Sequence, residues 1–193
     1  MNQKGLSLIE VVVSLTIMTI VVAMVFRFVI VGLNTSSSTT KTGNIQREAQ
    51  TTINQMKDWI MGTNKGIVCY GRSDWYDKAV AIYHKGEAEE NYVQLIFYRE
   101  GDACLYYDKV PVEKTTFEER DVQIHAEKIN TSGTWENYVF SKYVSEFNVV
   151  ISETNKQQVR LAIGYSNAGK TYRLDTVTNM RNKPESDPAK YNK

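Results

Sequence analysis

The N-terminal part of the chain shows two patterns of apolar residues, one after the other. Residues 11–26 carry no charge, and within 6–26 the one charged residue is Glu10. Because a helix rises about 1.5 Å per residue, 6–26 spans roughly 32 Å, the thickness of a bilayer core. The pattern therefore predicts a membrane-spanning helix that extends over 6–33 and holds a single carboxylate near its start.

The pattern changes after Leu33. Residues 34–44 (NTSSSTTKTGN) are rich in Ser and Thr, which form helices poorly, and predict either a loosened helical turn or a short linker. From residue 45 onward, apolar residues and one Thr recur every three or four positions, as on the packed face of a helix: Ile45, Ala49, Thr52, Ile53, Met56 and Ile60. This second helical segment is predicted to end within 62–66.

From Val68 the period of the pattern becomes two, which is typical of strands. Strands are predicted at these positions: 79–84, 92–99, 104–108, 121–129, 143–152, 158–166 and 171–180. Short turns join the last three and predict an antiparallel meander. The fold class is therefore α+β, with a long N-terminal helix packed on an antiparallel sheet over 45–181. Residues 182–193, which contain two prolines, are predicted to form a disordered tail.

Composition and charge narrow the classes of function. The chain has 193 residues, a net charge of +1 and no block of like charge, so no nucleic-acid-binding surface is indicated. Two histidines, His84 and His125, and two cysteines offer too few ligands for a metal cage, and no cofactor is expected. No set of nucleophile, base and acid is visible, so the chain is not predicted to be an enzyme.

The two cysteines, Cys69 and Cys104, lie in the part of the chain that is predicted to be soluble. A disulfide between them would stabilise the fold by about 3 to 4 kcal/mol, because it would close a loop in the unfolded chain. An extracytoplasmic location would permit such a bond. Two free thiols fit the sequence equally well, and both alternatives remain open.

Residues 164–171 (GYSNAGKT) match the phosphate-loop pattern GxxxxGK[ST] and follow a strand-like run. Phosphate binding by such a loop needs a helix directly after it, whose N-terminal amides and dipole hold the anion. The residues that follow are instead alternating, rich in β-branched side chains and poor helix formers. The segment is predicted to be a hairpin turn, and no nucleotide is expected as a partner.

Glu10 needs an explanation, since a charge inside a membrane costs at least about 2.5 to 3.5 kcal/mol and by default marks a functional residue with a partner. Residues 4–10 (KGLSLIE), with the apolar run behind them, resemble the processing motif of type IV pilins and pseudopilins. In that family a prepilin peptidase cuts after the glycine, and the new N-terminal amine is methylated. The resemblance implies a leader 1–5 cut after Gly5, N-methylation of Leu6 and a role of Glu10 in assembly. Leu6 stands where the family usually has phenylalanine.

The chemistry of the cut agrees with this role of Glu10. Cleavage after Gly5 would create an α-amine at Leu6, with an ordinary pKa of about 7.7 to 8.0. Glu10 lies one helical turn away on the same face, and the helix dipole favours its charge there. Its carboxylate can be neutralised by its own amine or by that of a neighbouring copy. The second option would make Glu10 a device that sets the register of assembly.

The resemblance also implies location and partners. It implies a single-pass membrane protein with its C-terminal domain outside the cell membrane, which later enters a surface filament with other pilins or pseudopilins. The predicted function is a minor pilin or pseudopilin, similar to J-type minor pseudopilins, in a type IV pilus, competence or type II secretion filament. If the filament is a competence pilus, nucleic acid is not excluded as a partner.

The alternative from another class is a monomeric, membrane-anchored extracellular binding domain. It predicts that Glu10 is dispensable and that the N-terminus stays uncut. The sequence does not distinguish the three filament machines, nor does it identify a ligand of the β-domain.

Overall fold

The computed structural model describes residues 7–85, 91–112, 119–131, 133 and 135–181. The chain separates into two compact units, Met1–Asn44 and Ile45–Lys193. The leader 1–5, Leu6 and the tail 182–193 lie outside the described residues, so what the sequence predicts for them remains a prediction.

Helix α1 (Leu8–Gly62) continues without a break through the Ser- and Thr-rich residues 34–44. Thr39, Thr40 and Thr42 each donate a side-chain hydrogen bond of 2.9 to 3.0 Å to the carbonyl one turn back. Such bonds satisfy the hydroxyls within the helix and leave its backbone ladder in place. Of the two alternatives for this segment, the helical one is therefore found and the linker is wrong.

The second part of α1 supplies the packing face that the spacing of its apolar residues predicts. The buried residues of the helix are the six named from the sequence: Ile45, Ala49, Thr52, Ile53, Met56 and Ile60. Their spacing of three and four residues places them on one side of the helix. This prediction is confirmed.

A five-stranded antiparallel sheet, sheet A, follows α1. Its strands, in both chain and spatial order, are β1 (Gly66–Tyr70), β2 (Lys78–Lys85), β3 (Asn91–Arg99), β4 (Cys104–Val112) and β5 (Val139–Lys142). The strands predicted at 79–84, 92–99 and 104–108 are confirmed as β2, β3 and β4. The short edge strand β5, which follows a 3-10 turn at Trp135–Tyr138, has no counterpart among the predicted strands.

The segment predicted as a strand at 121–129 is instead helix α2 (Glu119–Thr131). Val122, Ala126 and Ile129 are buried, and their spacing of four and three residues is that of a helix face. Ile124 is 50% exposed, whereas a strand that buried Val122 and Ala126 would also have buried Ile124. The prediction was wrong because three alternating apolar residues fit either period over so short a stretch.

The predicted C-terminal meander forms a second, three-stranded antiparallel sheet, sheet B. Its strands are β6 (Val144–Ile151), β7 (Gln158–Asn167) and β8 (Lys170–Asn179), in that order. Residues 164–171 span the β7–β8 hairpin, and the two turn residues, Ala168 and Gly169, have φ of 49° and 75°. Two positive φ angles are typical of a tight hairpin turn. A strand follows this turn, so the hairpin prediction is confirmed.

Buried side chains form two clusters on the two faces of sheet A. On one face, the second part of α1 packs against sheet A and sheet B, around Met56, Ile60 and Phe147. On the other face, α2 packs against sheet A through Val122 and Ala126. The fold is α+β, with a long N-terminal helix on antiparallel sheets, and is consistent with a pilin-like fold.

A polar network also joins α1 to both sheets. The Glu48 carboxylate accepts hydrogen bonds from the Ser141 hydroxyl (3.0 Å) and from the Lys142 backbone N–H (2.6 Å). The Ser141 oxygen lies 3.0 Å from the Tyr165 hydroxyl on β7. Because Lys142 belongs to the edge strand β5, Glu48 covers part of an edge that would otherwise be open to another strand.

Candidate functional site

The first turn of α1 holds the one carboxylate of the apolar segment. The Ser7 carbonyl accepts the backbone N–H groups of Glu10 (3.0 Å) and Val11 (3.2 Å), so Glu10 lies in the first helical turn. Backbone N–H groups at a helix N-terminus carry partial positive charge and favour a carboxylate nearby. The Glu10 side chain is exposed and is therefore accessible to a partner.

The apolar side chains of α1 before residue 34 are all open to the surroundings. Every large hydrophobic side chain from residue 8 to residue 33 is between 42% and 85% exposed. A helix that is apolar on every side needs cover on every side, and an open apolar surface of this size marks a membrane or protein contact. α1 includes a stretch with a mean hydropathy of 2.6 and is long and apolar enough to cross a membrane.

The three polar side chains within 11–26 do not disturb this apolar surface. Ser14, Thr16 and Thr19 each donate a hydrogen bond of 2.7 to 2.8 Å to the backbone carbonyl one turn back. A hydroxyl satisfied within its own helix leaves no unpaired donor in the bilayer. These residues were not singled out from the sequence, although hydroxyl residues inside a predicted membrane helix are a signal for such bonds.

The two cysteines are free thiols that sheet A holds apart. Cys69 lies on β1 and Cys104 on β4, with β2 and β3 between them. At about 4.8 Å per strand, three strand spacings separate the Cα atoms by more than about 14 Å. A disulfide needs Cα atoms within about 7 Å. Of the two alternatives that the sequence leaves open, the disulfide is thus incompatible with this fold.

We expect both thiols to react with an alkylating reagent in the unfolded chain, with no need for a reductant. In the native chain, both thiols should react slowly, because burial raises the pKa of each and a thiolate is the reactive form. Cys69, whose pKa burial raises to about 12, should be the slower of the two. Mass spectrometry of peptides after timed alkylation measures both rates. A native chain that yields alkylated peptides only after reduction would contradict the strand positions.

His84 is a buried titratable group beside Gly62, the last residue of α1. Its ring stacks on Tyr92 with ring centroids 4.9 Å apart, and Lys109 Nζ lies 4.2 Å from the same Tyr92 centroid. The Nε2 atom is buried and has no hydrogen-bond partner in the described part of the chain. Burial lowers the pKa of His84 and outweighs the Gln94 side chain and the Gly62 backbone, which act to raise it; the Lys109 ammonium adds a smaller lowering effect. The site therefore favours the neutral ring.

Acid is expected to destabilise the fold through His84. Below about pH 6.5 the unfolded chain takes up a proton at this position before the folded chain does, because the folded-state pKa is lowered. The free energy of unfolding therefore falls as the pH decreases through 6.5, towards the lowered folded-state pKa. Urea unfolding of full-length protein at pH 7.5 and pH 5.5 measures this loss.

The matched control for this pH dependence is the second histidine, His125, which lies on α2 with Nδ1 3.3 Å from Asp108 Oδ2. His84→Asn should reduce the loss of unfolding free energy between the two pH values. His125→Asn should still show the portion of this loss that comes from His84. An equal acid sensitivity of the wild type and His84→Asn would contradict the assignment.

These features define a class of protein: an α+β chain whose N-terminal helix is uncharged and apolar on every side over 11–26 and has a carboxylate in its first turn. Residues 1–26 match the family model of the prokaryotic N-terminal methylation motif. This match confirms the resemblance of the N-terminal segment to that of the type IV pilin and pseudopilin family. Comparison with curated proteins and with solved structures gave no match.

The motif match supports processing by a prepilin peptidase and assembly with other pilins. The family is structural rather than enzymatic, and the apolar half of α1 fits the membrane anchor of a pilin. Among the predicted site residues, the structure describes Glu10, Cys69 and Cys104, while Gly5 and Leu6 lie outside the described residues.

Proposed function

We propose that the chain is a minor pilin or pseudopilin that is stored in the membrane and assembled into a filament through α1. The peptidase cuts after Gly5, and the new N-terminal amine at Leu6 is the site of methylation. The unit Ile45–Lys193 lies on the extracytoplasmic side. The N-terminal helix serves first as a membrane anchor and then as part of a filament core.

The observation that carries this proposal is the position of Glu10. It is the one carboxylate in a helix segment whose large side chains are all exposed, and a lone carboxylate in hydrocarbon costs at least about 2.5 to 3.5 kcal/mol. The α-amine that the cut creates at Leu6 offsets this cost when it pairs with the Glu10 of a neighbouring subunit. Such a pair forms only in one register of two helices, so it specifies how subunits stack.

A minor role in the filament is supported by the size and shape of the folded unit. The second part of α1, sheet A, sheet B and α2 enclose two buried clusters rather than one, so the domain that this subunit would carry on the extracytoplasmic side is large. A large domain suits a subunit that initiates the filament or lies at its tip better than a subunit that is packed many times along the filament shaft. Quantitative mass spectrometry of sheared filaments tests this: a minor subunit is present far below the major subunit.

The test of processing is the intact mass of the protein from membranes of cells with and without the prepilin peptidase. We expect loss of residues 1–5 and a further mass of one methyl group only where the peptidase is present. Gly5→Val should leave the precursor uncut, because the cut follows this glycine. Gly32→Val is the matched control, since a side chain at Gly32 meets open space, and it should be processed normally.

An intact Met1 in peptidase-containing cells, together with wild-type filaments, would overturn the proposal. That outcome would favour the alternative, a monomeric binding domain held at the cell surface by an uncut helix. Protease added outside the membrane is expected to digest the unit Ile45–Lys193, whereas protection of this unit would contradict its extracytoplasmic location.

A further inference from the structure

A groove lies between sheet A and one edge of β6, and we call it the β6 groove. It has a volume of about 410 Å³ and is lined by residues 69–71, 78–80 and 147–149. Successive side chains of a strand point to opposite faces. Three consecutive residues of β6 line the groove, and β6 is an edge strand of sheet B, so the groove runs along the open edge of β6 rather than over one of its faces.

The edge of β6 that faces this groove has no strand paired to it within the described part of the chain. β6 pairs with β7 on one side. At its start, Val144 is held by bonds from its N–H to the Ala103 carbonyl (2.8 Å) and from the Tyr98 hydroxyl to its own carbonyl (3.3 Å). Beyond Phe147, every second residue directs its backbone N–H and C=O away from β7, which makes this edge a template for another strand.

The β6 groove has an apolar floor and one charged side chain at its rim. Val80, Phe147 and Val149 are buried members of the cluster shared by α1, sheet A and sheet B, and they form an apolar floor. Lys78 is the one charged residue that lines the groove, and its Nζ donates to the neutral Asn148 side-chain oxygen at 3.3 Å. The groove thus offers a ladder edge, apolar contacts and one cation.

The carboxylates next to the groove in sequence are engaged elsewhere. Asp77 pairs with Arg72 at 3.3 Å and accepts the Glu100 N–H at 2.7 Å, and Glu146 pairs with Arg173 at 3.1 Å. Lys78 therefore retains the capacity to bind a carboxylate from outside.

We infer that the β6 groove binds an extended, acidic peptide segment of a partner protein, which pairs with the edge of β6 and places its carboxylate against Lys78. Main-chain hydrogen bonds supply affinity in strand addition, and pockets for alternate side chains supply specificity. The apolar floor contacts every second side chain of the bound peptide, and Lys78 favours a peptide that carries a carboxylate. This inference goes beyond the proposed function, because it depends neither on cleavage after Gly5 nor on the type of filament.

The test uses the full-length protein in lipid nanodiscs and a fluorescein-labelled, acetylated hexapeptide, TVEVTV. Two further peptides separate the contributions: TVKVTV reverses the charge, and a backbone N-methylated TVEVTV cannot form a ladder. We expect saturable binding of the acidic peptide by fluorescence anisotropy and slower amide exchange within 147–150. The lysine peptide is expected to bind about fivefold more weakly, because an exposed ion pair is lost, and the N-methylated peptide at least about fivefold more weakly, because main-chain hydrogen bonds supply the affinity of strand addition.

Variants of the protein localise the site. Lys78→Glu and the milder Lys78→Gln should both weaken binding of TVEVTV, the former by about fivefold or more. Lys170→Glu, a matched change at an exposed lysine in the β7–β8 hairpin, should leave it unchanged.

Three results would overturn the inference. The first is the absence of binding up to millimolar peptide. The second is equal binding of the N-methylated peptide, because that result would show that the groove is an apolar pocket rather than the edge of a ladder. The third is protection of 147–150 that rises with protein concentration without peptide, which would show that a second copy of this chain fills the groove.

Discussion

A chain carrying Glu10→Gln is expected to insert into the membrane and to be cut, yet to enter filaments at least about tenfold less than the wild type. The substitution keeps the shape of the side chain and removes its charge. An ion pair with the α-amine of a neighbouring Leu6 is then lost, and the unpaired amine remains in hydrocarbon. Leaving one intramembrane charge unpaired costs at least about 2.5 to 3.5 kcal/mol, and 1.4 kcal/mol is already a factor of ten in an equilibrium constant.

The measurement compares the amount of this subunit in sheared filaments with the amount in membranes, by quantitative immunoblot. Glu153→Gln is a suitable control, because Glu153 lies exposed between β6 and β7 and its substitution should leave incorporation unchanged. If Glu10→Gln entered filaments at the wild-type level, the carboxylate would be tolerated at the membrane surface rather than used in assembly.

The N-terminal segment could be predicted from the sequence because its signal is one-dimensional. Absence of charge over 11–26 and the position of Glu10 need no tertiary contact to be recognised. The buried face of α1 beyond residue 45 was likewise predicted, since six residues in sequence repeat the helical period. The β7–β8 hairpin was predicted from the turn-forming composition of residues 167–170, although the sequence of residues 164–171 also matches the phosphate-loop pattern.

Tertiary structure decided the features that the sequence did not predict. Val122, Ile124 and Ala126 fit a strand as well as a helix, and only the contact of α2 with sheet A selects the helix. The division of the strands into two sheets depends on the chain after β5, where Tyr143 adopts φ of 62° and Val144 donates its N–H to the Ala103 carbonyl. Ala103 and Val144 are far apart in the sequence, so their contact produces no local sequence pattern from which it could be predicted.

The same limit applies to the candidate sites. The distance between Cys69 and Cys104 follows from strand order, which spacing along the chain does not reveal. The β6 groove is likewise assembled from three separate strands, and Lys78 is unremarkable until Asn148 lies beside it. Gly5, Leu6 and Glu10 are recognisable because they belong to a linear motif, and residues 1–26 match its family model.

Met56→Ala is expected to lower the free energy of unfolding of the unit Ile45–Lys193 by about 2 to 5 kcal/mol. Met56 is 0% exposed in the cluster formed by α1, sheet A and sheet B, so truncation leaves a cavity that these elements cannot readily close. With a urea m-value of about 1 to 3 kcal/mol/M, the unfolding midpoint should fall by about 0.7 M or more. Tryptophan fluorescence of full-length protein in detergent micelles reports the transition.

Met18 on the same helix provides the matched control. It is 66% exposed, and Met18→Ala should change the free energy of unfolding by no more than about 0.5 kcal/mol. The two substitutions remove the same atoms from the same helix, so any difference between them reflects surroundings alone. A large difference between the two losses of free energy would mean that the two parts of α1 have different roles. Residues from 45 onward would stabilise the fold, while residues before 45 would contact the membrane or neighbouring subunits. Equal destabilisation by both variants would instead mean that the apolar half of α1 contributes to the stability of the folded unit, which would contradict this division.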